Sequence, residues 1–209
     1  MSSTQISLQN VGKRYNHEWI FRGIEHTFKQ DEHTVILGAN GSGKSTLLQV
    51  ILGSTVASEG ELNYTVNGKP NTVEDAVGLF SLATPYLELI EEYTLTEMLD
   101  FHQKMVPFKA GLTIQSIIEN LYLVAAKDKQ LKYFSSGMKQ RVKLGLALLS
   151  DTPYVLLDEP TSNLDAQAIE WYKNLVEENK EGRIIIVCSN DQKDEFSFCT
   201  QQLSVMDYK

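Results

Sequence analysis

The sequence predicts an α/β fold with a central parallel sheet, an N-terminal antiparallel β part and a helical insertion. Two short apolar runs, Tyr154 to Leu157 and Ile184 to Val187, are typical of strands that are buried on both faces. The order strand, helix, strand is that of a βαβ unit in a parallel sheet. The helix between the two runs is expected from about Ala166 to Glu178, with an inward face made of Ile169, Tyr172, Leu175 and Val176.

The N-terminal part of the chain predicts strands followed by one helix. Ile6 and Leu8 alternate with polar neighbours, and Thr34 to Leu37 is a short apolar run, so residues 5–37 are expected to form strands. Residues 44–52 are expected to form a helix whose apolar face consists of Leu47, Leu48, Ile51 and Leu52.

Glycine and proline mark several predicted ends. Gly53 is placed to end the first helix, and Asn67-Gly68 after Glu61 to Val66 indicates a tight turn at a strand end. From about residue 84 to residue 150 the pattern becomes mostly helical, and we expect Pro153 to break the last helix of this segment. One face of that helix is marked by Val142, Gly145, Leu146 and Leu149.

Length and composition limit the classes of protein that fit. A chain of 209 residues with 42% hydrophobic and 22% charged residues is typical of one globular domain. Its net charge of −8 disfavours a nucleic-acid partner. Two cysteines, Cys188 and Cys199, are too few for a disulfide framework, and we expect a reducing compartment. The sequence shows no leader peptide pattern and no apolar stretch of membrane-spanning length.

A glycine-rich motif follows the predicted strand Thr34 to Leu37 and opens the next helix. It reads GANGSGKS and matches GxxxxGK[ST] in the strand-to-helix context that a phosphate-binding loop requires. Glycines let successive N–H groups turn inward as an anion nest, and the helix N-terminus adds partial positive charge. The alternative is a glycine-rich turn without a ligand. The predicted nucleotide-binding residues are Gly38, Asn40, Gly41, Ser42, Gly43, Lys44, Ser45 and Thr46.

The run Tyr154 to Leu157 ends in two carboxylates. Asp158 is placed to hold Mg²⁺ through water, and the Ser45 hydroxyl is placed to ligate it. Glu159 is placed to accept a proton from an attacking water. A solvated acidic strand end is the alternative, but the neighbouring phosphate loop argues against it.

A third motif, FSSGMKQR, opens the helix that contains Val142. Ser135 is a plausible N-cap, and Gly137 exposes N–H groups of the first turn. Taken alone, the motif is equally consistent with a helix cap that has no further role.

The order of the three motifs GANGSGKS, FSSGMKQR and YVLLDEPTSNLD resembles that of the nucleotide-binding domain of ATP-binding cassette (ABC) transporters. The resemblance covers essentially the whole chain. It implies a P-loop NTPase fold with an ABC-type ATPase core in a single domain, residues 1–209, in which residues 84–150 approximately form a helical subdomain.

The resemblance also implies roles for individual residues. In that family two nucleotide-binding domains form a head-to-tail sandwich, so the signature residues Ser135, Ser136 and Gly137 would act in trans on the γ-phosphate. Glu159 would be the general base, with Lys44 on the phosphates. The D-loop would include Asp165. Tyr15 would stack on adenine; Trp19 is a competing candidate, and an ordinary strand aromatic is the alternative.

Two family positions depart from the expected residue. The switch histidine that follows the last core strand is replaced by Asn190, which can donate a hydrogen bond to phosphate but cannot exchange a proton near neutral pH. A glutamine is expected near residues 82–85, yet none occurs between Gln49 and Gln103.

The resemblance implies an ATPase subunit that uses ATP and Mg²⁺ and couples dimer closure and hydrolysis to transport. Its implied partners are a second nucleotide-binding subunit and a transmembrane permease, which would hold it on the cytoplasmic face of the cell membrane. Two alternatives remain open: a soluble ABC ATPase acting on DNA repair complexes or ribosomes, and a non-hydrolytic or slow nucleotide-gated regulator. The transported substrate and the direction of transport are not encoded in these motifs.

Overall fold

The computed structural model describes residues 4–209, which fold into two sheets and a set of helices. The strands are β1 (Gln5–Tyr15), β2 (Glu18–Lys29), β3 (Thr34–Leu37), β4 (Glu59–Val66), β5 (Lys69–Asn71), β6 (Phe80–Ala83), β7 (Tyr154–Asp158), β8 (Ile184–Ser189) and β9 (Gln201–Ser204). The helices are α1 (Lys44–Leu52), α2 (Val73–Ala76), α3 (Leu95–Met105), α4 (Ile114–Asn120), α5 (Ser136–Leu148), α6 (Ala166–Asn179) and α7 (Lys193–Phe196).

The N-terminal strands form an antiparallel sheet in the order β2-β1-β4-β5. Ile6 and Leu8 of β1 are buried while their neighbours are more exposed, as the alternation predicts. β4 and β5 are joined by Asn67 and Gly68, whose φ angles of 51° and 77° are those of a primed hairpin turn. The tight turn expected from the Asn-Gly pair is confirmed.

The second sheet is parallel throughout, in the order β6-β7-β8-β3-β9. All residues of β7 and β8 are buried, as expected for strands covered on both faces. Because the strands are parallel, the segments that follow β3, β6, β7 and β8 all leave from the same edge of the sheet. That edge therefore collects the glycine-rich loop, the acidic strand end and the loop that begins at Asn190.

The parallel sheet is the middle layer of the molecule. Along β7, Tyr154 and Leu156 pack into one hydrophobic cluster with α1 and the antiparallel sheet. Val155 and Leu157 point the other way and pack with α3, α4, α5 and α6. The alternation of side chains along a strand thus separates the two cores.

Two helical expectations need correction. On α6, Trp171 is buried on the inward face although it was not predicted there, and Ile169 is only half-buried. α5 ends at Leu148, before Pro153 is reached, so Pro153 is not the residue that ends it. The Leu148 carbonyl oxygen at the end of the helix accepts a hydrogen bond from the Arg183 guanidinium at 2.7 Å. Gly53 ends α1 in the left-handed conformation, as expected.

Among the helices of residues 4–209, none is both long and apolar enough to cross a membrane. Within the same part of the chain Cys188 and Cys199 are both free thiols.

Candidate functional site

The loop between β3 and α1 depends on glycine at specific positions. Gly43 has a φ of 104° and Gly41 a φ of 76°, which side chains rarely adopt. A Cβ at Gly43 would lie 2.5 Å from Cγ2 of Ile20, and one at Gly38 would lie 2.3 Å from Oγ of Ser42. The loop is therefore packed so tightly that only glycine fits at these two positions.

The N–H groups at the N-terminus of α1 have no capping side chain among the described residues. Gly43 provides no side-chain cap, and the first turn contains no acidic residue. Lys44 is only 5% exposed, and its Nζ donates to the carbonyl oxygens of Gly38 at 2.8 Å and of Ala39 at 3.2 Å. The ammonium group and the helix N-terminus thus concentrate positive charge at one loop, which suits a polyphosphate. Asn40 is exposed at the tip of this loop, and Thr46 is half-buried on α1.

The Ser45 hydroxyl joins the glycine-rich loop to the acidic strand end. Its Oγ donates to Oδ2 of Asp158 at 2.7 Å. The Asp158 side chain is buried, and its Oδ1 has no hydrogen-bond partner among residues 4–209. Burial raises the pKa of the Asp158 carboxyl, while the Ser45 hydrogen bond and the Lys44 charge partly lower it. The Ser45 hydroxyl and the Asp158 carboxylate are hard oxygen ligands, and Oδ1 of Asp158 is still unsatisfied within the described part of the chain. Such a pair fits a Mg²⁺ ion, which prefers carboxylate, hydroxyl and water ligands.

Glu159 follows β7 in a strained conformation. Its φ of 45° is left-handed, which costs roughly 1–3 kcal/mol for a residue other than glycine. Its N–H donates to the carbonyl oxygen of Cys188 on β8 at 3.0 Å, and this contact holds the turn. The half-buried carboxylate therefore begins the loop at the edge of the sheet rather than continuing the strand.

Asn190 directly follows β8 and is exposed at the same edge. Asp191 after it has a φ of 76°, so the chain turns sharply there. The backbone contact between Glu159 and Cys188 brings the two strand ends next to each other. The structure thus places Lys44, Ser45, Asp158, Glu159 and Asn190 along one edge of the parallel sheet.

The segment after β6 contains Thr84 where a glutamine was expected. Thr84 lies beside Ser45 and Asp158 on the wall of a cavity of about 240 Å³. Gln49 of α1 lines the same cavity, one helical turn beyond Ser45. Thr84 lies in the stretch where the sequence departs from the family, whereas Gln49 was not predicted as a site residue; its i, i+4 spacing from Ser45 was the available signal.

The third motif forms the N-terminus of α5. Oγ of Ser135 accepts a hydrogen bond from the Met138 N–H at 3.2 Å, so Ser135 is the N-cap. Ser136 is exposed, and a Cβ at Gly137 would lie 3.0 Å from the Asn163 carbonyl oxygen. The helix therefore begins against the loop that precedes α6.

Asp165 caps α6 through its Oδ1, which accepts from the Ala168 N–H at 2.8 Å. Together with Ser135 and Gly137 it lines a cavity of about 360 Å³. Ser45 and Asp158 line a different cavity, and the structure does not bring the two groups into one site within a single chain.

The two aromatic candidates near the β1–β2 turn differ in access. The Trp19 ring has the Arg14 guanidinium 5.5 Å and the Arg22 guanidinium 4.6 Å from its centroid. Tyr15 is 48% exposed and has only the Lys13 ammonium, 4.9 Å from its ring centroid. Tyr15 is thus the more accessible surface for stacking.

Comparison with known proteins agrees with this geometry. The family model described as ABC transporter matches residues 21–162. The chain is 30% identical over 208 residues to the arabinose import ATP-binding protein AraG of Pectobacterium atrosepticum, covering 93% of this chain and 40% of that protein. It is also 30% identical to the linearmycin resistance ATP-binding protein LnrL of Bacillus subtilis, covering 97% of this chain and 66% of that protein. The chain thus spans less than two thirds of the length of either relative.

Among solved structures, the dimeric structure of a bacterial ABC transporter cassette superposes with a TM-score of 0.77 at 22% identity. The match covers 96% of this chain and 94% of that chain, and at this identity it shows the fold. The family match extends from β2 to the loop after Glu159 and includes the glycine-rich loop, α5 and the acidic strand end. The chain therefore belongs to the ABC transporter family, as a nucleotide-binding domain.

Proposed function

We propose that this chain binds and hydrolyses ATP and couples ATP-driven dimer closure to transport through a separate membrane protein. The observation that carries the proposal is the 2.7 Å hydrogen bond between Ser45 and Asp158, residues 113 positions apart in the chain. It joins a glycine-rich loop that suits phosphate to a buried carboxylate that suits Mg²⁺. The names of the relatives, which include import and resistance ATP-binding proteins, support the same function.

In the proposed reaction the chain's own groups mostly position the reactants and neutralise the charge of the phosphates. The N–H groups of the loop and the Lys44 ammonium hold the β- and γ-phosphates, with Ser45 and Asp158 as ligands of the metal. When bound, Mg²⁺ supplies Lewis-acid neutralisation of phosphate charge. Glu159 accepts a proton from the water that attacks the γ-phosphate, and Asn190 donates a hydrogen bond to that phosphate.

The assembly belongs to the same proposal. Residues 1–209 form one ATPase domain, with residues 84–150 approximately as its helical subdomain. A second copy supplies Ser135, Ser136 and Gly137 to the phosphates. A permease binds the helical subdomain and keeps the chain at the cytoplasmic face of the membrane. Exposed apolar side chains in this segment support such a partner: Tyr86 is 84% exposed and Met105 is 70% exposed.

The proposal is tested by separating binding from hydrolysis. Lys44→Ala should abolish ATP binding in calorimetry, because the phosphates lose their buried cation. Glu159→Gln should retain ATP affinity but lower kcat by at least about 100-fold, the contribution expected of a general base. Lys129→Ala and Glu178→Gln change exposed residues and serve as matched controls. Unchanged kcat in Glu159→Gln would rule out the assigned base.

A nucleotide-gated regulator with little or no hydrolysis is the second candidate. It is favoured by Asn190 and Thr84, which stand where the family's histidine and glutamine are expected. The same measurements distinguish the two functions: tight ATP binding by the parent protein without phosphate release would support the regulator.

A further inference from the structure

A buried carboxylate outside the motifs lies beside the proposed site. Glu195 belongs to the short helix α7, and its side chain is 1% exposed. None of the motifs includes it, and it is not among the site residues predicted from the sequence. Glutamate is rarely so completely buried without a partner of opposite charge.

The partners of the Glu195 carboxylate are neutral groups of two loops. Oε1 accepts from the Thr161 hydroxyl at 2.9 Å and from the Thr161 N–H at 3.3 Å. Oε2 accepts from the Ser189 hydroxyl at 2.5 Å. Among the described residues no lysine, arginine or histidine nitrogen lies within ion-pair distance of Glu195.

Thr161 and Ser189 lie close in sequence to the two residues proposed to act at the γ-phosphate, Glu159 and Asn190. Thr161 is two residues after Glu159, in the loop that continues to Asp165. Ser189 is the last residue of β8 and directly precedes Asn190. One carboxylate therefore bridges the loop of Glu159, the proposed base, and the loop of Asn190, the proposed hydrogen-bond donor to the γ-phosphate.

The backbone of α7 is itself held in place. The Tyr172 hydroxyl of α6 donates to the Glu195 carbonyl oxygen at 2.7 Å. The Gln192 N–H donates to Oγ of Ser189 at 3.1 Å, which closes the turn after Asn190. The Glu195 carboxylate thus extends from a short helix whose backbone is bound to α6. Both loops are therefore held in place relative to α6.

The bridge requires a hydrogen-bonding atom at each end of the Glu195 head group more than it requires a charge. Burial raises the pKa of the Glu195 carboxyl, and the hydrogen bonds from Ser189 and Thr161 only partly oppose this. A buried anion without a cation is unfavourable for the fold, so its retention favours a positional role. A glutamine side chain could accept from Thr161 through Oε1 and donate to Oγ of Ser189 through Nε2.

We propose that Glu195 is a positioning residue that holds the loops of Glu159 and Asn190 in place beside the proposed γ-phosphate site. It acts through Thr161 on the first and through Ser189 on the second. The inference rests on the proposed function as regards catalysis, whereas the bridging of the two loops is a property of the fold alone.

Hydrogen–deuterium exchange tests the bridge without reference to activity. In Glu195→Ala, exchange should increase by about 10-fold or more in residues 159–165 and in residues 189–192, because both loops lose their shared acceptor. Glu195→Gln should stay close to the parent protein in both segments. Asp194→Asn, which alters an exposed neighbour that pairs with Lys173, is the control and should change neither loop.

Steady-state ATPase measurements test the catalytic consequence. Glu195→Ala should lower kcat by about 10-fold or more while KM for ATP changes less than about 3-fold, since the phosphate loop is untouched. Glu195→Gln should restore most of the kcat. Should Glu195→Ala not fold, Thr161→Val and Ser189→Ala remove the partners singly, and each should loosen its own loop.

Unchanged exchange in either loop of a folded Glu195→Ala variant, or a full kcat in that variant, would overturn the positioning role. A loss of kcat that Glu195→Gln does not restore would also overturn it. A parent protein that binds but does not hydrolyse ATP would contradict the proposed function, while the exchange result would still decide whether Glu195 bridges the loops.

Discussion

The polar side chains of the candidate site differ in how much freedom their surroundings leave them. Asp158 is buried and held by Ser45, whereas Asn190 is exposed at the end of β8. Ser135 uses its oxygen as an N-cap acceptor, and its own O–H remains a donor. The proposed ligands of the metal are thus already hydrogen-bonded to each other, while the groups expected on the γ-phosphate keep free donors.

Asn190 provides the sharpest test of a single side chain. Asn190→Ala should lower kcat by roughly 10- to 150-fold, the value of one hydrogen bond to a charged group of about 1.5–3 kcal/mol. Asn190→His should introduce a titration in kcat near pH 6.5 that the parent lacks, because imidazole exchanges a proton there and an amide does not. Both variants are assayed between pH 5 and 8 together with thermal unfolding. A normal kcat in Asn190→Ala would show that Asn190 only completes the turn.

The helix α5 connects the third motif to the rest of the fold. Its residues from Val142 to Leu148 are all buried, so the helix is enclosed by the parallel sheet and by its helical neighbours. The Gln140 amide donates to the Pro160 carbonyl oxygen at 2.8 Å, next to Glu159. At the other end, the Arg183 guanidinium donates to four carbonyl oxygens: those of Leu148, Ser150 and Thr152, and at 3.5 Å that of Asn179. Both ends of the helix are therefore tied to the loops of the sheet.

Arg183→Met should destabilise the protein by at least about 3 kcal/mol, because several buried carbonyl oxygens lose a charged donor together. The guanidinium is so buried that its pKa falls to about 10. Lys180→Met, which removes a positive charge from a surface pair with Glu177, is the matched control and should cost less than about 1 kcal/mol. Urea unfolding of both variants measures the difference. Equal effects would mean that Arg183 does not hold the end of α5.

The motifs lie at two separate cavities, and this separation matters for how two chains would assemble. The cavity beside Ser45 and Asp158 and the cavity beside Ser135 and Asp165 are lined by separate sets of residues. Under the proposed function each cavity is one half of a site, and a head-to-tail pair of chains would combine the halves into two complete sites.

Mixing inactive subunits tests the proposed pairing. Lys44→Ala lacks the phosphate cation, and Ser135→Arg blocks the third motif, so each variant alone should be inactive. Together they should form one complete composite site per mixed dimer and recover measurable ATPase activity. Each variant mixed with itself is the control. If mixed dimers are demonstrated and no activity returns, Ser135 does not act across the interface.

Local patterns were sufficient for much of the architecture. The apolar runs of β7 and β8 and the Asn67-Gly68 turn depend on short-range rules, and the structure confirms them. The glycine-rich motif between β3 and α1 is equally local, because its conformation follows from φ angles and helix geometry. The family resemblance that rests on these motifs is confirmed as well.

Those short-range patterns could not predict contacts between segments that are distant in the sequence. Arg183 binds the end of α5 from 35 residues away, and Glu195 contacts Thr161 across 34 residues. Nothing in the sequence near Pro153 or Glu195 shows these partners, because they meet only when the helices pack on the sheet. Motif spacing thus predicts the chemistry of the candidate site, while packing of the parallel sheet decides which distant groups hold its loops in place.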